Sequence, residues 1–438
     1  MKSAGQRETK SIGFGLGQCE PCGGFAVWGG LIICSDSALS DARPQTRWGV
    51  VALAVGAGVV AATQLGKVPP VLPEIRAEFG MGMIGAGAVA STFHAIASVF
   101  AIVVGIFADG WGHRRVLSAG LIFLGLGSLA GAFATTDVAL LAARFFEGCG
   151  FVAVIVASPS LIAIACNDPR KRDLALGIWG AYFPAGWGMM AIVAPLFVAA
   201  WGWRSLWIVG VLMMAAFLVL TLAMGRISDS GRQSTATRSE TSGSVASVLR
   251  LPGPWLLAAS FATFSLMWVG LMVWLPTYFI EEEGYSRALA AVLTALVVMC
   301  EISGNVSSGW LLARGVARWK IIAVSLATMG ILSVVIFSTP APGYIKIACA
   351  AIFSAIGGLI PGATLAGAPL HAPSPRLIGI VNGVLVQGAN VGNFLGPIAM
   401  GAAVALLGGW QSAGWLPLVI GGLGIVLALG IRRVEERL

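Results

Sequence analysis

From Trp48 onward the chain is a succession of long apolar runs broken by short polar joints. Twelve such runs can be counted, at roughly 48–67, 83–108, 116–134, 138–166, 174–200, 204–224, 255–280, 287–313, 319–338, 343–367, 376–406 and 411–431. An α-helix needs ~20 apolar residues to cross a bilayer. Several runs exceed that length, which predicts tilted helices or helices that continue past the hydrocarbon. The expected class is an all-α integral membrane protein with twelve transmembrane helices. One long polar break, residues 225–250, is rich in Ser, Thr and Arg and divides six runs from six. The expected organisation is a polar, disordered N-terminal lead at 1–46, a six-helix half at 48–224, a cytoplasmic linker at 225–250, a second half at 251–433 and a short cytoplasmic tail at 434–438.

Composition supports that class. The chain is 57% hydrophobic and only 11% charged, against about 25% charged residues in a soluble domain. A net charge of +8 could suggest nucleic acid. The basic residues, however, stand singly at the ends of apolar runs, which is a topology signal and no binding stripe. With the N-terminus placed inside, the inner joints carry Arg114, Arg115, Arg170, Lys171, Arg172, Arg314, Arg318, Lys320 and Arg376, and the outer joints only Arg76, Arg287 and Lys346, with Arg204 at a helix mouth. This skew predicts both termini on the cytoplasmic side. In the lead, Phe25 to Ile33 is too short to span, and Glu8 and Glu20 argue against a signal peptide. Cys19 and Cys22 have C-x-x-C spacing, but no second pair or His follows nearby, so no metal site is expected.

The joint between the second and third runs reads Gly105-Ile-Phe-Ala-Asp109-Gly110-Trp-Gly112-His-Arg114-Arg115. So short a link demands a tight hairpin, and Gly110 and Gly112 permit the positive φ that such a turn uses. The pattern G-x-x-x-D-x-x-G-x-R-R resembles the loop between the second and third helices of the major facilitator superfamily, with Gly110 where the family usually has Arg. A shift of 204 residues maps Gly105 on Gly309 and Arg114 on Arg318, with Ala313 in place of Asp109. That echo is similar to the repeated halves of a facilitator. The resemblance implies a fold of two six-helix halves around a central site, and it implies that Asp109 holds the inward-closed arrangement near the start of the eleventh helix. The phrases Pro69-Pro-Val-Leu-Pro-Glu-Ile-Arg76 and Gly177-Ile-Trp-Gly-Ala-Tyr182-Phe-Pro-Ala-Gly186 look similar to the cyanate and nitroimidazole transporter group, which implies a small organic or inorganic solute, anions included.

A charge at the bilayer centre costs ~3 kcal/mol or more, so each one needs a partner or a water-filled cavity. Arg144 and Glu147 share a helical face in the fourth run. Arg144-x-x-x-Gly148 looks like the superfamily's fourth-helix motif, whose Arg is associated with proton coupling. The alternatives are a self-neutralising ion pair, or an Arg144 that snorkels to the outer surface. Glu301 and Asn305 lie midway along the eighth run, and Glu301 suits a carboxyl that picks up and releases a proton. His94, in the second run, is either an interhelical donor or a proton-linked group. Tyr182 lies in a Gly- and Pro-rich fifth run that lacks the Gly-Pro-x-x-Gly-Gly core of the antiporter motif. Gln387, Asn390 and Asn393 step by three along the eleventh run and form a polar stripe, as interhelical glue or as a cavity lining. Trp268 is a candidate for stacking on a solute. Trp274 and Tyr278 are expected in the outer aromatic belt, and Lys67 at the outer interface or greeting an anion.

There is no G-x-x-x-x-G-K-[ST] loop, so neither ATP-driven transport nor an enzyme is expected. The whole points to a secondary active transporter in a bacterial-type inner membrane, working by alternating access. Its partners would be a small-molecule solute, the lipid bilayer and protons as the coupling ion, with no nucleic acid, cofactor or metal, and with the monomer as the working unit. A proton-driven efflux pump for hydrophobic drugs and a non-transporting solute sensor are the rival readings.

Overall fold

Inside a bilayer the backbone has no water to bond to, so each apolar run must satisfy its own N–H and C=O groups as a helix. The computed structural model describes residues 46–166, 168, 171, 175–176, 178–224, 246–374 and 377–437. Among these, twelve helical segments are long and apolar enough to cross a membrane. The spans run in order Trp48–Gly66, Met83–Trp111, His113–Ala132, Asp137–Ala165, Tyr182–Trp201, Ser205–Ala223, Pro252–Glu281, Arg287–Ala313, Arg318–Ser338, Gly343–His371, Ile378–Leu406 and Trp410–Glu435. Their ends agree with the sequence pattern to within a few residues, and in the fifth the described residues 175–176 and 178–179 are helical before a turn at 180–181 leads into Tyr182–Trp201. The Cys19 and Cys22 pair lies outside the described residues, as do the rest of residues 1–45 and residues 225–245. The end of the expected linker differs from expectation: residues 246–249 are helical and Val248 is buried.

Each set of six spans packs within itself, the third on the fourth and the first on the fifth, the ninth on the twelfth and the seventh on the eleventh. Two main seams join the sets, the second span against the eleventh and the fifth against the eighth. The apolar residues that face outward are left bare, as a lipid-facing surface requires: Phe133, Leu196 and Trp201 are each 72% exposed and Leu406 76%. Because the number of spans is even, the chain enters and leaves at one end of the bundle, here called the termini end; the opposite end is the far end.

The hairpin at the termini end turns on a single residue. Gly112 ends the second span and begins the third with φ +96, a conformation open to glycine. Gly110 still lies within the helix of the second span. Arg114, two residues on, donates from Nε to the Thr221 carbonyl (3.1 Å) and from Nη2 to that of Leu222 (2.9 Å), so it caps the end of the sixth span. Its counterpart by the 204-residue echo, Arg318, pairs with Glu435 at the end of the twelfth span and donates from Nε to the Ala363 carbonyl (2.8 Å). Arg115 is exposed. Gly105 and Asp109 both lie within the helix of the second span, and the side chain of Asp109 is outside the described set.

At the far end the joint after the first span is itself helical, Leu72–Phe79, which the sequence pattern does not foretell. It ties the two sets together. Glu74 pairs with Arg287 at the start of the eighth span (2.7 Å), and Arg76 pairs with Glu281 at the end of the seventh (2.8 Å). Glu281 also accepts from Trp410 Nε1 (3.3 Å). Trp274 and Tyr278 do not stand in an aromatic belt. Both are buried, Trp274 donating to the Pro397 carbonyl (2.9 Å) and Tyr278 to that of Ile336 (2.8 Å), within a ring cluster shared with Phe337 and Trp410. Bridging between spans has replaced contact with lipid headgroups.

Candidate functional site

The fourth span delivers Arg144 and Glu147 to the interior on one face, three residues apart, and both are fully buried. They form an ion pair. Arg144 does not snorkel. Its Nε donates to the Val89 carbonyl (3.1 Å) and its Nη1 to the Gln64 carbonyl (3.0 Å), and its guanidinium lies over the Phe93 ring at 4.6 Å. The remaining edge, Nη2, is buried with no partner.

The pair is not self-contained. Lys67 reaches the second oxygen of Glu147, Nζ to Oε1 at 2.6 Å, and is itself fully buried. The expectation of a lysine at the membrane interface is overturned. Because the chain continues through Pro69 and Pro70 into the Leu72–Phe79 helix, the end of the first span is covered rather than open to the headgroups. Nζ also donates to Gln64 Oε1 (2.6 Å) and Ser128 Oγ (2.9 Å), and it lies 4.4 Å from the Trp207 ring centre. Sequence reasoning missed this third member. The signal available was Gln64 and Lys67 at helical spacing, a polar pair at the end of a wholly apolar run.

A second polar group crosses the seam between the second and eleventh spans. His94, 1% exposed, shares a hydrogen with Asn390 Oδ1 at 3.4 Å. Asn390 donates its own N–H to the Val386 carbonyl (2.9 Å), which turns Oδ1 toward the ring. His94 Nδ1 therefore carries the proton and Nε2 keeps its lone pair. Nε2 has no partner. This is the interhelical donor expected of a lone His, with one nitrogen left over. Of the polar stripe, Asn390 makes the crossing; Gln387 is half-buried on the same helix.

The other seam, between the fifth and eighth spans, holds Glu301. It is 7% exposed, Asn305 lies one turn along the same face, and Oε2 has no partner. The eighth span comes close because the tenth is broken. Helix stops at Gly357 and resumes at Leu359, and a side chain at Gly358 would collide with the Glu301 carbonyl. Tyr182 lies near enough for the Glu301 charge to act on it, and its ring stacks on Trp179 at 4.3 Å. Trp268 is 1% exposed, donates to Ser354 Oγ (3.1 Å) and packs edge-on to Trp187 at 5.5 Å. It joins the seventh span to the fifth and the tenth.

The candidate residues thus fall into three groups, one inside the first six-span set and one at each seam. Three buried polar atoms stand out, Arg144 Nη2, His94 Nε2 and Glu301 Oε2, because a buried donor or acceptor without a partner costs ~1–3 kcal/mol. Groups kept at that cost are candidates for a solute or a proton. A cavity of about 660 Å³ between the third, fifth and sixth spans, lined by Phe133, Trp201 and Leu212, lies on the flank and holds none of them.

Known proteins resemble this chain in sequence and in fold. It is 29% identical over 246 residues to the multidrug resistance protein Stp of Mycobacterium tuberculosis, a match covering 51% of this chain and 45% of that one. It is 28% identical over 280 residues to the 4-hydroxybenzoate transporter PcaK of Pseudomonas aeruginosa, covering 56% and 61%. The chain therefore spans about half the length of these curated relatives. A crystal structure of a bacterial homologue of the human lysosomal transporter Spinster, inward-facing and occupied, superposes with a TM-score of 0.72 at 16% identity, over 90% of this chain and 97% of that one. The twelve apolar spans make this a multi-pass membrane protein, and the family model described as Major Facilitator Superfamily matches residues 53–397, so the chain belongs to that superfamily.

Proposed function

We propose that the chain is a secondary active transporter that moves a small solute by alternating access and couples that movement to protons. The observation that carries this reading is that three ionisable side chains buried among the spans, Arg144, His94 and Glu301, each keep a polar atom without a partner. A scaffold has no need of them, and a sensor would need only one binding state. The far end is sealed by the Glu74–Arg287 and Arg76–Glu281 pairs, an arrangement suited to one state of a rocking cycle. The names of the relatives support both transport readings, a drug-resistance protein on one side and a carrier of an aromatic acid on the other. The fifth span lacks the Gly-Pro-x-x-Gly-Gly core, which favours the small-solute reading over drug–proton antiport. The basic skew supports an orientation with both termini cytoplasmic and the far end outside, and the bacterial relatives support an inner-membrane setting.

Purified protein in proteoliposomes should take up a member of a solute panel when a pH gradient is imposed. Export of hydrophobic dyes with no movement of small polar solutes would favour the efflux rival, and no movement at all would leave the sensor. Reporter fusions at Gly284 and Pro373 should read outside and inside respectively; the reverse would overturn the orientation.

The far-end seal gives a second expected result. An exposed ion pair is worth at most ~1 kcal/mol. Removing both by Arg76→Gln and Arg287→Gln should therefore shift the balance toward an outward-open form by roughly tenfold. A cysteine at Ser91, fully buried on the second span, reports it. Its labelling by a membrane-impermeant maleimide added from outside should speed up in the double variant. Unchanged labelling would mean that the helix packing, and not the ion pairs, closes this end.

A further inference from the structure

The charge of the buried group does not balance, and the imbalance has a location. Three charged side chains, Lys67, Arg144 and Glu147, are all 0% exposed, and Glu147 alone is negative. No other carboxylate among the described residues acts on either cation.

Hydrogen-bond accounting fixes Lys67 as the ammonium. Its three partners all present acceptors: Gln64 Oε1, Ser128 Oγ and Glu147 Oε1. Gln64 is oriented by its Nε2, which donates to Thr63 Oγ1 (3.1 Å), and the Thr63 hydroxyl is already spent on the Val60 carbonyl (2.6 Å). The hydroxyl hydrogen of Ser128 has two acceptors in reach, the Trp207 carbonyl (2.9 Å) and Gln64 Oε1 (3.3 Å), and turning it to Lys67 would strip both of this bond. A neutral amine has two N–H groups and a lone pair that needs a donor. No donor is offered here, whereas an ammonium uses all three hydrogens. The Trp207 ring completes a shell suited to a cation.

Two cations and one carboxylate leave one positive charge inside the membrane, where a charge needs a counter-charge. Lys67 is saturated. Arg144 keeps Nη2 free. We propose that Lys67, by occupying one oxygen of Glu147, sets the buried site at one net positive charge, so that it selects a solute whose anionic group closes on the Nη2 edge of Arg144. This rests on the transport reading above and deepens it by naming the substrate class and the residue that sets it. Without Lys67, Arg144 and Glu147 would neutralise each other and a neutral solute would fit as well. With it, the occupied site is neutral for a monoanion. Lys67 does not touch the solute; it is a positioning residue for charge.

The test is a charge-balance cycle on the full chain in detergent. Binding is read as the shift in thermal unfolding midpoint with acetate, benzoate and nitrate, each organic anion against its neutral amide, acetamide or benzamide. The wild type should be stabilised by at least one anion and by neither amide. Lys67→Met should weaken that anion's apparent affinity by about tenfold or more. Adding Glu147→Gln to Lys67→Met restores the single positive charge and should recover most of the loss, although it removes a second native side chain. A role in packing alone predicts the opposite, a double variant worse than either single one. Where the double variant folds poorly, Lys67→Arg, which keeps the charge, serves instead and should retain anion binding. Stabilisation by an amide, stabilisation by nothing in the set, or affinity unmoved by Lys67→Met would each overturn the proposal. Binding with these dependences but no movement of the anion across proteoliposomes would sink the transport reading and leave the charge assignment standing. Movement of a neutral solute would do the reverse.

Discussion

Arg144→Gln and Glu147→Gln are expected to fail in different ways, although the two residues form one ion pair. Removing one partner of a buried pair usually strands the other at a cost of ~3–5 kcal/mol. Here Glu147 has a second cation on its other oxygen, Lys67 at 2.6 Å. In Arg144→Gln the carboxylate stays paired, so the variant should fold and express near normally. It loses the free Nη2 edge, and with it a charge-assisted contact worth ~1.5–3 kcal/mol, so uptake should fall roughly 10- to 100-fold. In Glu147→Gln both cations lose the one carboxylate that pairs with them among the described residues, and the loss should appear as stability. Thermal unfolding and yield of monodisperse protein should drop sharply, more than for Arg144→Gln. Equal stability losses in the two variants would mean that Lys67 does not share the carboxylate. Full uptake by Arg144→Gln would remove that residue from the site. Replacing both Arg144 and Glu147 is no neutral control, because it leaves Lys67 alone.

The contrast rests on a residue whose role the sequence hides. The spans were legible because apolar runs of membrane length have one outcome in a bilayer, and the ends of most fall within a few residues of the pattern. Arg144 and Glu147 were legible as a pair because helical spacing alone puts them on one face. Lys67 was not. A lysine at the end of a run, followed by Pro69 and Pro70, has the local signature of an interfacial residue. Its burial depends on Ser128 and Glu147, 61 and 80 positions away, and on a joint that folds back as a helix. Trp274 and Tyr278 mislead for the same reason. Near a span end their amphipathic rings suit the headgroups, and the partners that bury them, Pro397 and Ile336, belong to other spans. The His94–Asn390 contact joins residues 296 positions apart, so the sequence offered two candidates and no reason to connect them. The break in the tenth span had a local trace, Gly357-Gly358 before Pro361, but its purpose shows only where Gly358 meets the Glu301 carbonyl.

Glu301→Gln should separate coupling from translocation. Glu301 lies on the seam between the fifth and eighth spans, with Oε2 partnerless and no cation paired to it among the described residues. A carboxylate cannot be carried through a closed interior uncompensated, so it must either meet a cation or take up a proton before the seam closes. Asn305, with both a donor and an acceptor on its amide, can accompany either form. A carboxamide imitates the protonated acid in shape and lack of charge, and it cannot release a proton. The variant should therefore still exchange solute for solute across a vesicle membrane, because the carboxamide keeps the shape and neutrality of the protonated acid. Accumulation driven by a pH gradient should collapse to equal concentrations inside and out. The steep rise of wild-type uptake with an inward proton gradient should flatten, because the step that senses the gradient is gone. If accumulation and its pH dependence survive, Glu301 is a packing residue. The proton must then travel through His94, whose Nε2 is also buried without a partner, or through Glu147. A chain in which none of the three substitutions uncouples uptake is a uniporter, and the partnerless atoms serve the solute alone.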